Sequence, residues 1–327
     1  MSGEALALPY YRNRDLKRWA ETLAAAGSVT RGLAFSSAMA QFMPAMLVRR
    51  VLDMVDVDSD KWTQYAPTQR WPLSWVYARE GRKLADWETH VAKDFAATLL
   101  VSSDEAALLQ QRAPQAQHKI GVFENGVDAD YFSPERDYPN PYTADVQGIV
   151  FTGAMDYWPN IDAVTWFADR IFPAIRDAMP AAQFTIVGSR PTEAVLALAR
   201  QPGVVVTGGV PDVRPWIAHA ACAVAPLRIA RGVQNKVLEA MAMARAVVVS
   251  PQAAEGIRAE AGRDFILAQD EADFAHAVIA RLRNPANATP ARDCILQNYD
   301  WTRNLKTMDS LFEPAPPAPP ILETCTA

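Results

Sequence analysis

The sequence predicts an α/β protein built on parallel sheets in two domains. Three observations carry that expectation. The chain has 327 residues, enough for two hydrophobic cores. From residue 148 onward, short Val- and Ile-rich runs alternate with stretches of helical period, the pattern of a parallel sheet covered on both faces. Between the halves, a segment around Pro139 and Pro141 has little apolar periodicity, as a linker does. The expected layout is a first domain over 1–135, a linker over 136–147 and a second domain over 148–295. A final helix over 296–312 follows, then a proline-rich tail over 313–327 without fixed structure.

In the first half, residues 15–26 read as a helix. "LAFSSAMAQFMPAMLV" (33–48) is the longest apolar run, but Gln41, Pro44 and two serines interrupt it, so it reads as buried strand and loop rather than a membrane span. "RRVLDMVDVDSDKW" contains a strand ending in a cluster of acids. Residues 75–95 form a long helix of mixed charge, "ATLLVSS" a short buried strand, and 104–111 a helix with an acid near its start. "HKIGVFENGVD" is a strand closed by a turn at Asn125 and Gly126.

In the second half the strands are "GIVFTG", "QFTIVG", "GVVVTGG", "CAVAPL" and "AVVVS". Between them lie helices over 161–179, 192–200 and 234–243 and a short one from Val213; residues 270–312 are helical. This is a doubly wound arrangement with no internal repeat.

The bulk numbers exclude several classes. A net charge of −5 and a pI near 5.5 argue against a general nucleic-acid binder, whose footprint is basic. Cys222, Cys294 and Cys325 are scattered, odd in number and without a CxxC pair, which fits a reducing cytoplasm better than a disulfide or zinc framework. The first residues lack a signal-peptide pattern. Arg12, Arg14, Lys17 and Arg18 carry charge that suits peripheral contact with anionic lipid at an inner membrane, although a short charged helix face is usually only solvated.

In a doubly wound sheet, ligands bind outside the carboxyl ends of the strands. The chemistry-bearing residues of the second half fall there. Gly153 follows the first strand; Gly188 and Arg190 follow the second; Gly208, Gly209, Val210 and Asp212 follow the third; Arg228, Arg231 and Gly232 follow the fourth. Glycines admit close approach of a ligand. A helix N-terminus favours phosphate, and Arg228, Arg231 and Lys236 add full charges around one such start. Together they suit a diphosphate. Asn235, Lys236 and Glu239 share one side of the helix, and the Glu239 carboxylate there suits two ribose hydroxyls. Each element alone also has a plain reading: strand-end turns, loop charges, a solvated Lys–Glu pair. The chain has neither a G-x-G-x-x-G after the first strand of this domain nor a P-loop motif, which counts against a nicotinamide enzyme and a P-loop kinase. No acidic D-x-D follows a strand in this half, so no metal and no cofactor beyond the donor substrate is expected. Asp56-Val57-Asp58 spells such a motif only in the first half. There Asp58 is a candidate acceptor-hydroxyl contact with a base-like role, against the plain reading of a capping acid.

"RGVQNKVLEAMAMARAVVVSP" resembles the donor-site motif of GT-B glycosyltransferases of family 4, which carry Glu-x7-Glu followed by Ala-Met-Ala. With "FTGAMDYWPNIDAV" and "VDVDSDKW", the chain looks like a narrower group, the sugar transferases of exopolysaccharide clusters associated with PEP-CTERM and exosortase systems. The resemblance implies a GT-B fold of two Rossmann-like domains. It also implies a retaining transfer from a nucleotide-diphosphate sugar to a polysaccharide or lipid-linked glycan. Glu239 matches the second glutamate, expected at the ribose; Arg231 stands where the first, sugar-contacting acid belongs. "ENGVD" matches the interdomain turn, and "YDWTRNLKTMDSLF" the helix that crosses back to the first domain. The opening "LALPYYRNRDLKRW" looks like the middle of a first domain, so that domain is expected to be incomplete, through a shortened form or a misassigned start. That, with Arg231, keeps open a non-catalytic nucleotide-binding or scaffold protein of the same fold. A sugar-nucleotide epimerase would need cleft acids and a histidine that the sequence does not supply.

Overall fold

The computed structural model describes residues 3–230, 232–285 and 288–313. Arg231 and the tail from residue 314 therefore lie outside the described residues. The chain forms two compact units. One comprises residues 3–100, 106–121 and 305–313; the other comprises 101–105 and 122–304.

In the first unit a four-stranded sheet runs in the order β1 (Arg31–Phe35), β2 (Arg49–Val55), β3 (Ala97–Leu100), β4 (Ile120–Val122), with β1–β2 and β2–β3 parallel. The centre is apolar as a twice-covered sheet requires: Val51, Leu52 and Leu100 are fully buried. β1 departs from the expected buried strand. It lies at the sheet edge with Leu33 and Phe35 exposed, and Ser37–Phe42 continues as a 3-10 helix. The acids follow the end of β2 directly, as expected, and Asp58 opens the helix Asp58–Tyr65, where early acids suit the helix dipole. That helix packs on the long helix Leu73–Asp94. Residues 305–313 of the last helix, Trp301–Phe312, cluster with this unit, where Arg49 Nε donates to the Leu311 carbonyl.

The second unit holds a six-stranded parallel sheet: β5 (Gln147–Thr152), β6 (Ala182–Val187), β7 (Val204–Gly208), β8 (Cys222–Ala225), β9 (Val247–Val249) and β10 (Ile266–Leu267). Their order in space is β10-β9-β8-β5-β6-β7. This is the doubly wound order, which reverses between β5 and β8 and opens a crevice at their carboxyl ends. β5 explains its own central place: Gly148 to Phe151 are buried, as a strand covered on both faces must be. The expected helix over 161–179 begins earlier, at Trp158. It contains a π turn over Phe167–Ile171 just ahead of Pro173, whose missing N–H cannot support the regular ladder.

Candidate active site

The crevice at the carboxyl ends of β5, β6 and β7 is a pocket of about 450 Å³. Four chain segments build it. After β5 come Thr152 and Gly153, after β6 Gly188 and Ser189, and after β7 Gly209 and Val210. The helix Asn235–Ala242 contributes Asn235, Lys236 and Glu239. Gly153, Gly188, Val210, Asn235, Lys236 and Glu239 are thus brought together as the sequence predicts.

The glycines hold the strand-end loops against each other. A Cβ on Gly188 would lie 1.6 Å from the Gly153 carbonyl oxygen, so only glycine fits. A Cβ on Gly153 would meet the Asn160 amide at 2.7 Å. Met155 N–H donates to the Ser189 carbonyl at 2.8 Å and ties the same two loops.

Asn160 escaped the sequence reading. It is buried near the start of the helix Trp158–Trp166, and its Nδ2 donates to the Ala154 carbonyl at 2.9 Å. Its Oδ1 accepts from Lys236 Nζ at 2.9 Å. The lysine is also 5.0 Å from the centre of the Phe151 ring. Lys236 is the one base among the described residues lining the pocket, and Glu239 the one acid. Burial pushes the Lys236 amine down to about 8, against the opposing attraction of Glu239. Burial likewise raises Glu239 above the ordinary carboxylate range, with Lys236 pulling it back. The pocket therefore holds a cation and an anion one turn apart, both partly desolvated.

The other proposed donor residues do not line this pocket. Arg190 pairs in a fork with Asp156, its second contact at 3.2 Å, and stands at the surface. Arg228 pairs with Asp162, with Nε to Oδ2 at 3.0 Å. Asp212 accepts from the Arg214 backbone at 2.9 Å and from its guanidinium at 2.7 Å, and Arg214 itself stacks 3.6 Å from the Tyr131 ring. Gly232, at φ +67°, shapes the turn before the helix, where its carbonyl accepts from Gln234. Asp58 belongs to the first unit, where its carboxylate accepts from Lys61 at 3.2 Å.

Residues 146–284 match the family model of glycosyl transferases group 1. Over this segment the chain is similar to that family. The chain is accordingly a transferase by its domain, and its fold is α/β of the GT-B type. Among solved structures, a Rickettsia africae glycosyltransferase is similar at 13% identity and a TM-score of 0.64, over 92% of this chain and 82% of that one. The sucrose-phosphate synthase of Thermosynechococcus elongatus is similar at 16% identity and 0.64, over 92% and 79%. Anabaena HepE, solved in complex with UDP and glucose, is similar at 14% and 0.61, over 89% and 80%. No curated protein matches the chain.

Proposed function

We propose that the chain is a retaining glycosyltransferase. It takes a sugar from a nucleotide-diphosphate sugar and passes it to a polysaccharide or lipid-linked glycan in exopolysaccharide assembly, in the cytoplasm or peripherally at the inner membrane. The observation that carries this reading is the pairing of Lys236 and Glu239 on one turn of one helix, inside a pocket edged by glycines at the sheet's switch point. In the proposed mode, Lys236 meets the diphosphate and Glu239 accepts hydrogen bonds from the ribose hydroxyls. Val210 borders the base. Asn235 lies at the helix start, beside the Asn125 amide at 3.2 Å.

The chemistry asked of the protein is chiefly electrostatic. As the bond between the anomeric carbon and the diphosphate oxygen breaks, negative charge collects on the leaving group, and a preorganised ammonium stabilises it there. The acceptor oxygen bonds to the same carbon on the same face, and its proton passes to the departing phosphate. Asn160 keeps Lys236 aimed without neutralising it, because an amide carbonyl carries no charge. Asp58 is proposed for the acceptor hydroxyl, with Lys61 orienting its carboxylate.

A panel of nucleotide sugars incubated with glycan and polyprenyl-phosphate-linked acceptors tests this, with the anomeric configuration of any product read by NMR. Transfer with inversion would refute the retaining step. UDP binding without transfer or hydrolysis of any donor would favour the non-catalytic binder.

A further inference from the structure

A buried acid of the first unit has no part in the donor chemistry. The long helix Leu73–Asp94 packs inward through Leu84, Val91 and Ala92, and the same face holds Glu88, which is fully buried. A carboxylate among apolar side chains is costly unless donors meet it. Its donors come from the start of the helix Asp58–Tyr65. Glu88 Oε1 accepts from the Ser59 N–H at 3.0 Å, and Oε2 accepts from the Ser59 hydroxyl. That helix needs a cap from elsewhere, because Val57, the residue before it, has an apolar side chain that cannot serve the free N–H groups of the first turn. Glu88 supplies the cap from 29 residues away.

Arg112 completes a clamp on the same turn. Its Nη1 donates to the Ser59 hydroxyl at 2.8 Å and its Nη2 to the Asp60 carboxylate at 2.7 Å. Gln64 donates to the other Asp60 oxygen at 2.8 Å. The side chains of Ser59 and Asp60 are thus both engaged. Asp58, one residue earlier, keeps a side chain that is 40% exposed, and its carboxylate accepts from Lys61 at 3.2 Å. With the next two residues pinned, the direction in which Asp58 leaves the helix is set.

We propose that Glu88 is a positioning residue for acceptor binding: its carboxylate fixes the first turn of the helix Asp58–Tyr65 and so aims Asp58 at the acceptor hydroxyl. This rests on the reading of Asp58 as the acceptor contact. The clamp works with the carboxylate ionised, because both oxygens must accept. A proton on Oε1 would face the Ser59 N–H, and a proton on Oε2 would face the proton of the Ser59 hydroxyl; either way one bond is lost or reversed. Burial raises the Glu88 carboxyl to about 7; the Ser59 bonds and Arg112 oppose the rise and Asp58 adds to it. Of the other elements packed on the long helix, Ser37–Phe42 and Ala66–Thr68 carry no ionisable side chain. In Pro114–Lys119, His118 is exposed and Lys119 donates to the Lys93 carbonyl. Lys61 is turned to Asp56 and Asp58.

The test is the acceptor KM between pH 6 and 8, with a neutral glycan acceptor from the panel above and nucleotide sugar held at saturation so that Lys236 stays out of the profile. In wild type the KM should rise about tenfold from pH 8 to 6, as one plus the ratio of protonated to ionised Glu88 goes from about 1.1 to about 11. Glu88→Gln, neutral at every pH and of the same shape, should hold the high KM across the range with UDP affinity unchanged. Ser59→Ala, which keeps the backbone bond, should raise the KM at pH 8 at least threefold. Free of any acceptor, the Ser59 amide resonance of the full chain should titrate with a midpoint near 7 in wild type and stay still in Glu88→Gln. An acceptor KM at pH 8 that Glu88→Gln leaves unchanged, a Ser59 resonance that does not move, or a parallel loss of UDP affinity would overturn this role and leave the transferase reading standing. A wild type that transfers from no donor would overturn that reading and this role with it.

Discussion

Raising the pH from 7 to 9 should weaken UDP binding by about tenfold, and Lys236 is the reason. Burial sets its amine near 8 in the free protein. If only the ammonium form receives the diphosphate, the apparent dissociation constant scales with one plus the ratio of neutral to charged lysine. That factor is about 1.1 at pH 7 and about 11 at pH 9, a tenfold loss. The terminal phosphate of UDP does not confound the window, because with a second pKa of about 6 it has already lost its proton, and the Lys236→Met profile serves as the control for ionisation of the uracil ring. Bound diphosphate favours the charged lysine, so the complex takes up a proton on forming above pH 8. Isothermal titration calorimetry in two buffers of different ionisation enthalpy reads both the affinity and the proton count. Lys236→Met should bind UDP about 10- to 100-fold more weakly at pH 7, for a lost charge-assisted hydrogen bond, and its alkaline profile should be flat. A wild-type profile that is flat between 7 and 9, or a slope that Lys236→Met retains, would refute the assignment.

The remaining expectations follow from the same geometry. Asn160→Ala removes the acceptor of the lysine ammonium, so the alkaline loss of UDP affinity should begin at a lower pH than in wild type. Glu239→Ala should bind UDP and 2′-deoxy-UDP alike, whereas wild type should prefer UDP by about tenfold, the value of one hydrogen bond to a charged group. In the ligand-free protein the sign for stability is opposite to that for binding. With Lys236 near 8 when folded and 10.5 when unfolded, the unfolded chain holds the proton across that window, so this group's contribution to stability rises with pH. Lys236→Met should therefore unfold at higher temperature than wild type at pH 7 while binding UDP worse; a lower Tm would count against a desolvated charge. Gly188→Ala, with its Cβ driven onto the Gly153 carbonyl, should cost about 3 kcal/mol or more in urea unfolding and remove UDP binding.

Much of the second unit was legible because parallel strands buried on both faces write themselves as unbroken apolar runs, and the helices between them supply the alternation. β5 and β6 fall within a residue or two of "GIVFTG" and "QFTIVG". Where strands face solvent, the same rule misleads. β1 has the apolar content of an interior strand but lies at an edge, and composition alone does not report position in a sheet. The acids of "DVDSDKW" stand at a strand end, as read, and the sequence left open that they also begin a helix, since capping and turn residues share a vocabulary. In the site, glycines and the Lys236–Glu239 spacing were readable as close approach and as a shared helix face. Asn160 was not, because a buried amide at a helix start breaks no periodicity and carries no charge.

The arginines differ from the lysine for a reason that local sequence hides. Arg190 and Arg228 were chosen for the sign of their charge, yet each finds a carboxylate far along the chain: Asp156, 34 residues away, and Asp162, 66 away. A guanidinium held in a fork by a carboxylate offers an incoming diphosphate little net charge unless that pair opens. At the exposed surface, where these pairs sit, the attraction to be given up is small, so they are straps that can be released rather than a standing anion site. Lys236 is built otherwise. Its hydrogen-bond partner is neutral, its surroundings are partly desolvated, and the carboxylate one turn away holds it only by charge. Desolvation makes the ammonium costly in the empty pocket and strengthens its attraction for phosphate once the pocket fills. The same burial that lowers its pKa thus concentrates binding energy on the diphosphate, and a pocket needing one strong cation is better served by this lysine than by two compensated arginines.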